Sequence, residues 1–254
     1  MSKQAKNPVG SIETMFEVIY ALLDLGGAGV TELSVYLDIP KSTLHNYLST
    51  LRQEDFVRKE GSTYRVGIRF LELGAAARKQ YPVYEIARPE VNKIAEETGE
   101  LANLLIEEHG MGTYLHRSRG TEAVNVGAHI GTCVNLHSTA LGKSILAYLP
   151  DARVDTIIDR RGLPAQTAQT ITTQSELEQE LNRIRERGYA IDDEEHHEGL
   201  RCIAAPVLSN DDRVLGAMSI AAPTNRMRGD RFNEELPQIL LERVNVVELN
   251  ITYS

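Results

Sequence analysis

The order of elements that hydrophobic periodicity imposes on residues 11–66 constrains this chain more than any other feature. Ile12, Met15, Phe16, Ile19, Leu22 and Leu23 recur at three- and four-residue spacings, which marks one face of a helix over 11–25. Ser11 is the expected N-cap, and Gly26, Gly27 and Gly29 end the segment. Thr31 is expected to cap a short second helix over 32–37, and Asp38-Ile39-Pro40 reads as a tight turn. A third helix over 41–54 carries Leu44, Leu48 and Leu51 as a buried stripe. Two short strands within 56–66, divided at Gly61, predict a hairpin. Helix, helix, turn, helix, hairpin is the order of a winged helix-turn-helix.

A helix that reads DNA needs an apolar face to anchor it and a polar face that reaches base edges. With the three leucines inward, Ser42, Asn46, Ser49 and Gln53 point the opposite way, and His45 and Thr50 lie at the margins. Such side chains donate and accept hydrogen bonds in a groove. Lys41, Thr43 and Arg52 suit phosphate contacts, which position a protein without specifying sequence. Lys59 and Arg65 would put charge on the wing. The net charge of −9 argues against a generic nucleic-acid binder. Its distribution removes the objection: residues 1–80 hold 10 Lys+Arg against 9 Asp+Glu, and the remainder holds 17 against 27. A small helical domain that binds protein uses the same elements and stays open as an alternative.

Beyond the hairpin, Phe70 to Arg78 reads as a connecting helix, and Tyr81-Pro82 marks a boundary. The expected organisation is a DNA-binding domain over 1–67, a linker helix over 68–82 and a second domain over 83–254. The second domain alternates helices with strands. Helices are expected near 85–98, 139–149, 176–187 (capped by Ser175) and 233–249, and strands near 102–108, 113–118, 201–208 and 213–221. Ser209-Asn210-Asp211-Asp212 has the composition of a turn between the last two strands. This is an α+β domain with a largely antiparallel sheet. Two cysteines are too few for a disulfide framework or a thiolate zinc site. No run approaches the roughly 18 apolar residues of a membrane helix, and the first ten residues lack the apolar stretch of a secretory signal. A soluble, cytoplasmic protein is therefore expected.

Ordered motifs carry a resemblance. Ile39-Pro40-Lys41-Ser42-Thr43-Leu44-His45, Tyr64-Arg65-Val66-Gly67 and Phe70-Leu71-Glu72-Leu73-Gly74 look like the IclR family of transcriptional regulators. So do Ala87-Arg88-Pro89, Glu97-Thr98-Gly99-Glu100 with Asn103-Leu104, His137 to Lys143, Gly188-Tyr189-Ala190, and Gly199 to Val207. These blocks span nearly the whole chain in order. Two positions depart from the family pattern. Asn46 stands where many members carry Arg, so the operator sequence does not carry over. Asp55 stands where the family usually has Gly, although Asp tolerates a left-handed turn.

The resemblance implies a GAF-like effector domain that binds a small metabolite, often a carboxylate, and frames its site with Asp192 and Leu200. The residues support a pocket independently. Cys202, Ala204 and Pro206 share one strand face, and Ala217, Ser219 and Ala221 share another, so pairing would give one sheet face of small residues with the Ser219 hydroxyl as a handle. The helix starting near Thr139 offers backbone N–H groups near Ala140, Leu141 and Gly142 to an anion. Small residues also permit plain close packing, and Thr139 could simply cap its own helix. His196 and His197, within the acidic run 192–198, lack the spacing that puts two imidazoles on one metal, and the run reads as a solvated loop. Gly142-Lys143-Ser144 lacks the upstream Gly of a phosphate loop, since position 137 is His. No nucleophile pairs with a base, so no catalysis is expected, and no cofactor. The expected protein is a metabolite-controlled regulator of carbon catabolism, a homodimer or homotetramer on a near-palindromic double-stranded operator. A redox or metal sensor built around Cys202 or the histidines is the alternative.

Overall fold

The structure, a computed structural model, describes residues 6–253. The first five residues, part of the stretch considered above for a secretory signal, lie outside them. The described residues form two compact units, one running to Ala77 and the other starting at Arg78.

The first unit contains α1 (Gly10–Asp24), α2 (Val30–Leu37), α3 (Lys41–Gln53), the hairpin of β1 (Val57–Glu60) with β2 (Thr63–Val66), and most of α4 (Phe70–Arg78). Its core joins Val18, Ile19 and Leu22 of α1 to Leu33 of α2, to Leu44, Leu48 and Leu51 of α3, and to Val57 and Tyr64 of the hairpin. Two expected caps are not caps. Each helix turns helical earlier, behind Val9 and Gly29, and neither start has a side-chain cap. Ser11 and Thr31 fall at the second helical residue of each. Asp38 and Asp55 adopt positive φ, 54° and 61°. The short Asp side chain is among the few non-glycine side chains that accept this region, so the turn survives at Asp55. The apolar face of α1 is only partly inward. Val18, Ile19, Ala21 and Leu22 are buried, while Ile12, Phe16 and Leu23 remain exposed.

The second unit contains α5 (Pro82–Thr98), β3 (Leu101–Glu108), β4 (Met111–Arg119), β5 (Cys133–Val134), α6 (Ala140–Leu146), α7 (Asp151–Arg161), α8 (Gln174–Arg187), β6 (Ala190–Asp193), β7 (Leu200–Leu208), β8 (Val214–Pro223) and α9 (Leu236–Thr252). The strands form one antiparallel sheet in the order β5-β4-β3-β8-β7-β6. Strand alternation gives the sheet two unlike faces. Ile203, Ala205, Val207, Met218 and Ile220 pack against α5 and α9, as bulky residues should. Cys202, Ala204, Ala217 and Ala221 face α6 and α8. Three elements escaped sequence reading: β5 and β6 are short, and α7 buries only Val154 and Ile157. Thr173 rather than Ser175 caps α8. Among the described residues no helix is long and apolar enough to cross a membrane.

Helix α6 is buried along its whole length and packs against β7 and β8. Gly142 makes this approach feasible, because a Cβ there would lie 2.1 Å from the Leu136 carbonyl oxygen and 2.4 Å from its Cα. Gly142→Ala is expected to cost at least about 2 kcal/mol, since backbone on both sides must shift. The urea midpoint of the second unit measures it. Gly74→Ala in α4, where a Cβ meets nothing within 4 Å, should instead be neutral or stabilising by about 0.5–1 kcal/mol.

Candidate DNA interface and effector site

The polar surface of α3 follows from its leucine anchor. Leu44, Leu48 and Leu51 are 0, 0 and 5% exposed, which fixes the rotation of the helix about its axis. Lys41, Ser42, Thr43, His45, Asn46, Ser49 and Arg52 are then all exposed. Ser42, Asn46, Ser49 and Gln53 run along the outer line, opposite the leucines. Thr43 and Asn46 also border a groove of about 460 Å³ shared with Ile12 and Met15 of α1. His45 borders a wider depression of about 1020 Å³ reaching α2 and Lys59 of the hairpin. Thr50 donates to the Asn46 carbonyl at 3.0 Å, so its hydroxyl is engaged along the helix.

On the hairpin the two expected cations differ. Lys59 is exposed and lies 5.1 Å from the centre of the Tyr64 ring. Arg65 does not extend outward. It donates to the Gly26 carbonyl and lies 3.3 Å from Glu60. Arg58 is likewise 2.6 Å from Glu60. One carboxylate at the tip thus engages both arginines, a partner that strand alternation alone does not reveal.

In the second unit the register brings the expected effector residues together. Asp192 pairs with Cys202 across β6 and β7, and Cys202 with Ala221 across β7 and β8. Leu200 lies two residues before Cys202, on the same face. Cys202, Ala221 and Asp192 keep 7, 5 and 5% exposure and Tyr114 keeps 8%, whereas Ala204, Ala217 and Ser219 keep none. Asp192, Cys202 and Ala221 thus share one row that keeps some accessibility, and Tyr114 lies in a different row, beside Leu105 and Ala217.

Two of the expected groups are already engaged. Gly142 N–H donates to Thr139 Oγ1 at 2.9 Å, so Thr139 caps its own seven-residue helix. Ser219 Oγ accepts from Asn103 Nδ2 at 3.0 Å. Asn103 figured in sequence reasoning only as part of a motif, and its partner Arg117 on β4 not at all. Their signal was a polar Asn inside an otherwise apolar strand, Leu101 to Ile106.

The run 192–198 is not a solvated loop, because burial has drawn part of it inward. Asp192 Oδ1 accepts from the backbone N–H of Glu195 at 2.8 Å and of His196 at 3.3 Å. Glu195 forms a buried ion pair with Lys143 of α6. Burial pushes the Asp192 carboxyl up to about 7, with Lys143 pulling the other way. Burial also lowers His196 to about 4 and lowers His137, whose Nε2 is 3.1 Å from the Pro164 carbonyl. The ring centroids of His196 and His197 are 4.3 Å apart.

The geometry gives the alternative sensors little support. Burial, then the Asp192 charge, raise the Cys202 thiol, which suppresses its thiolate. Cys133 is exposed and free. Among the described residues no group of three or more His, Cys, Asp or Glu side chains could hold a metal.

Residues 11–61 match the IclR helix-turn-helix domain, and residues 75–247 match the bacterial transcriptional regulator IclR C-terminal domain. A probable HTH-type transcriptional regulator ArcR of Halobacterium salinarum is 34% identical over 96% of this chain and 94% of its own. The acetate operon repressor of Salmonella typhimurium is 31% identical over 82% of this chain and 78% of its own. The crystal structure of the Thermotoga maritima IclR superposes with a TM-score of 0.82 at 27% identity, covering 96% of this chain and 99% of that one. With a DNA-binding helix-turn-helix unit and an effector-domain unit each matched in place, the chain belongs to the IclR family of transcriptional regulators, which are not enzymes.

Proposed function

We propose that this regulator binds a specific near-palindromic operator through α3 and is controlled by a small organic acid held on the small face of its sheet. Base reading is assigned to Ser42, Asn46, Ser49 and His45, and phosphate contact to Lys41, Thr43, Arg52 and Lys59. The observation that carries the reading is the fully exposed polar line on a helix whose rotation the leucine anchor fixes. Arg65 has the smaller part, because Gly26 and Glu60 already engage it. The effector seat is assigned to Ala140, Leu141, Asp192, Leu200, Cys202 and Ala221, with Gly142 and Ser219 shaping it rather than bonding the ligand through groups already in use. Control of carbon catabolism is the pathway proposed, in keeping with the acetate operon named for one relative.

The protein is proposed to act as a homodimer or a dimer of dimers. Ile12, Phe16, Tyr20 and Leu23 leave α1 with an exposed apolar stripe, and α4 exposes Leu71 and Leu73 without burying any residue. A second copy would cover both, and pairing would set two α3 helices one helical turn of DNA apart, or a multiple of it. Sedimentation equilibrium should then return an even multiple of the chain mass, and a monomer at micromolar concentrations would contradict it.

Two further outcomes are expected. Asn46→Ala should weaken binding to the protein's own upstream DNA by about 1–3 kcal/mol and relax preference at one base pair. A gel shift against operator and scrambled DNA tests it, and an unchanged ratio between the two would sink the assignment of α3.

The second concerns pH. Around Asp192 stand Lys143 from α6, Glu195 and His196 from the following loop, Cys202 from β7 and Tyr114 from β4. His196 is neutral above about 4, and burial raises both Cys202 and Tyr114, so they stay neutral near pH 7. Burial raises the Glu195 carboxyl as well, with its ion pair to Lys143 opposing the rise. Asp192, at about 7, is the group that titrates. Below that pH it is neutral and an anion is accepted, and above it two negative charges meet. Affinity for an organic acid should therefore fall as pH rises through about 7. Calorimetry across that range should show the fall in the wild type and a flatter profile in Asp192→Asn.

A further inference from the structure

The pairing of β3 with β4 slips by one residue. Tyr114 faces Leu105 and His116 faces Leu104, which leaves Leu115 without a partner. Such a bulge changes which face the following side chains reach. Leu115 packs in the core on the α5 side, and His116 Nε2 lies 2.8 Å from Asn92 Oδ1 on α5. Tyr114 and Arg117 turn the other way, onto the small face, although strict alternation would separate them.

Arg117 is half-buried there and held from several sides. Its Nε donates to Asn103 Oδ1 at 2.9 Å, and the amide of the same Asn103 donates to Ser219 at 3.0 Å. One terminal nitrogen donates to the Ala128 carbonyl, and the guanidinium stands 5.0 Å from the centre of the Tyr114 ring. Both hydrogen-bond acceptors are neutral. Among the described residues no carboxylate forms an ion pair with Arg117, and its other terminal nitrogen makes no hydrogen bond. Burial lowers its pKa and the neighbouring Arg119 charge lowers it further, with only the Tyr114 phenol opposing them. A desolvated cation without a counter-charge is costly, and an anion placed on it relieves that cost.

We propose that Arg117 seats the carboxylate of the effector, with Asn103 and Ser219 holding the guanidinium in place and leaving one N–H edge free. The inference rests on the organic-acid reading given above. It narrows the ligand to a compact monocarboxylate with an apolar body. Apolar side chains of the same face include Leu101, Tyr114, Val134, Cys202 and Ala221. A second carboxylate would be desolvated against these apolar side chains, whatever the charge on Asp192.

Isothermal titration of the full-length protein, at a pH below that at which Asp192 ionises, tests this with butyrate, benzoate, succinate and butyramide. Wild type should bind the monocarboxylates better than succinate or butyramide. Arg117→Gln should lose about 10–100-fold in affinity for the monocarboxylates, the scale of a lost charge-assisted hydrogen bond. Arg117→Lys should recover part of it. Arg213→Gln, an exposed cation in the turn between β7 and β8, should leave it unchanged. Monocarboxylate affinity within about twofold of wild type in Arg117→Gln would overturn the assignment while leaving the organic-acid reading intact. So would an equal loss for butyramide, which marks a purely structural role. A wild-type protein that binds none of the acids overturns both.

Discussion

The sensor unit depends on how closely α6 approaches the sheet. Cys202, Ala204, Ala217 and Ala221 leave a shallow face, and Gly142 lets the helix backbone come down beside Leu136. That approach buries Lys143 to 1% exposure, which costs free energy unless a counter-charge follows it inward. Glu195 supplies the counter-charge. The loop carrying Glu195 then bends so that Asp192 receives two backbone N–H groups, and the carboxyl of Asp192 is desolvated in turn. One close helix–sheet contact thus produces the buried ion pair and the shifted acid beside it.

The two faces of the sheet divide the work. The bulky face, packed on α5 and α9, stabilises the unit by ordinary burial of large side chains. Glu100, 1% exposed, reinforces this side by accepting from Arg226 at 2.8 and 2.6 Å and from Arg231 at 3.2 Å. The small face keeps polar groups instead. Across three strands it carries Arg117, Asn103 and Ser219 in one hydrogen-bonded row, with Asp192 and Cys202 in the next. Ligand can act on DNA binding only by favouring one of two arrangements of the protein.

The sequence shows the DNA-reading unit plainly because its signals are local. Leu44, Leu48 and Leu51 fix α3 by spacing alone, and Gly61 marks the hairpin. Asp55 shows that a turn can keep its conformation where glycine is replaced. The small face of the sheet was equally legible, since alternation needs only period two. What escaped depends on contacts between distant residues. Nothing near Arg65 in sequence announces the Gly26 carbonyl. The burial of Asp192 and Glu195 needs Lys143, about fifty residues earlier in the chain. Arg117 was hidden by the bulge at Leu115, which breaks the alternation used to assign faces. Ser11 and Thr31 failed as caps because Gly10 and Val30 ahead of them are already helical.

The central claim is that one chain couples the acid seat to the DNA-reading helix, and linkage tests it directly. Fluorescence anisotropy should be measured on a labelled duplex from the region upstream of the gene, with and without saturating monocarboxylate. Calorimetry of the same acid should be run with and without that duplex. The account predicts a change in DNA affinity of about 5–150-fold, and the same factor in acid affinity when DNA is bound. An acid that binds the protein yet leaves DNA affinity unchanged would contradict it.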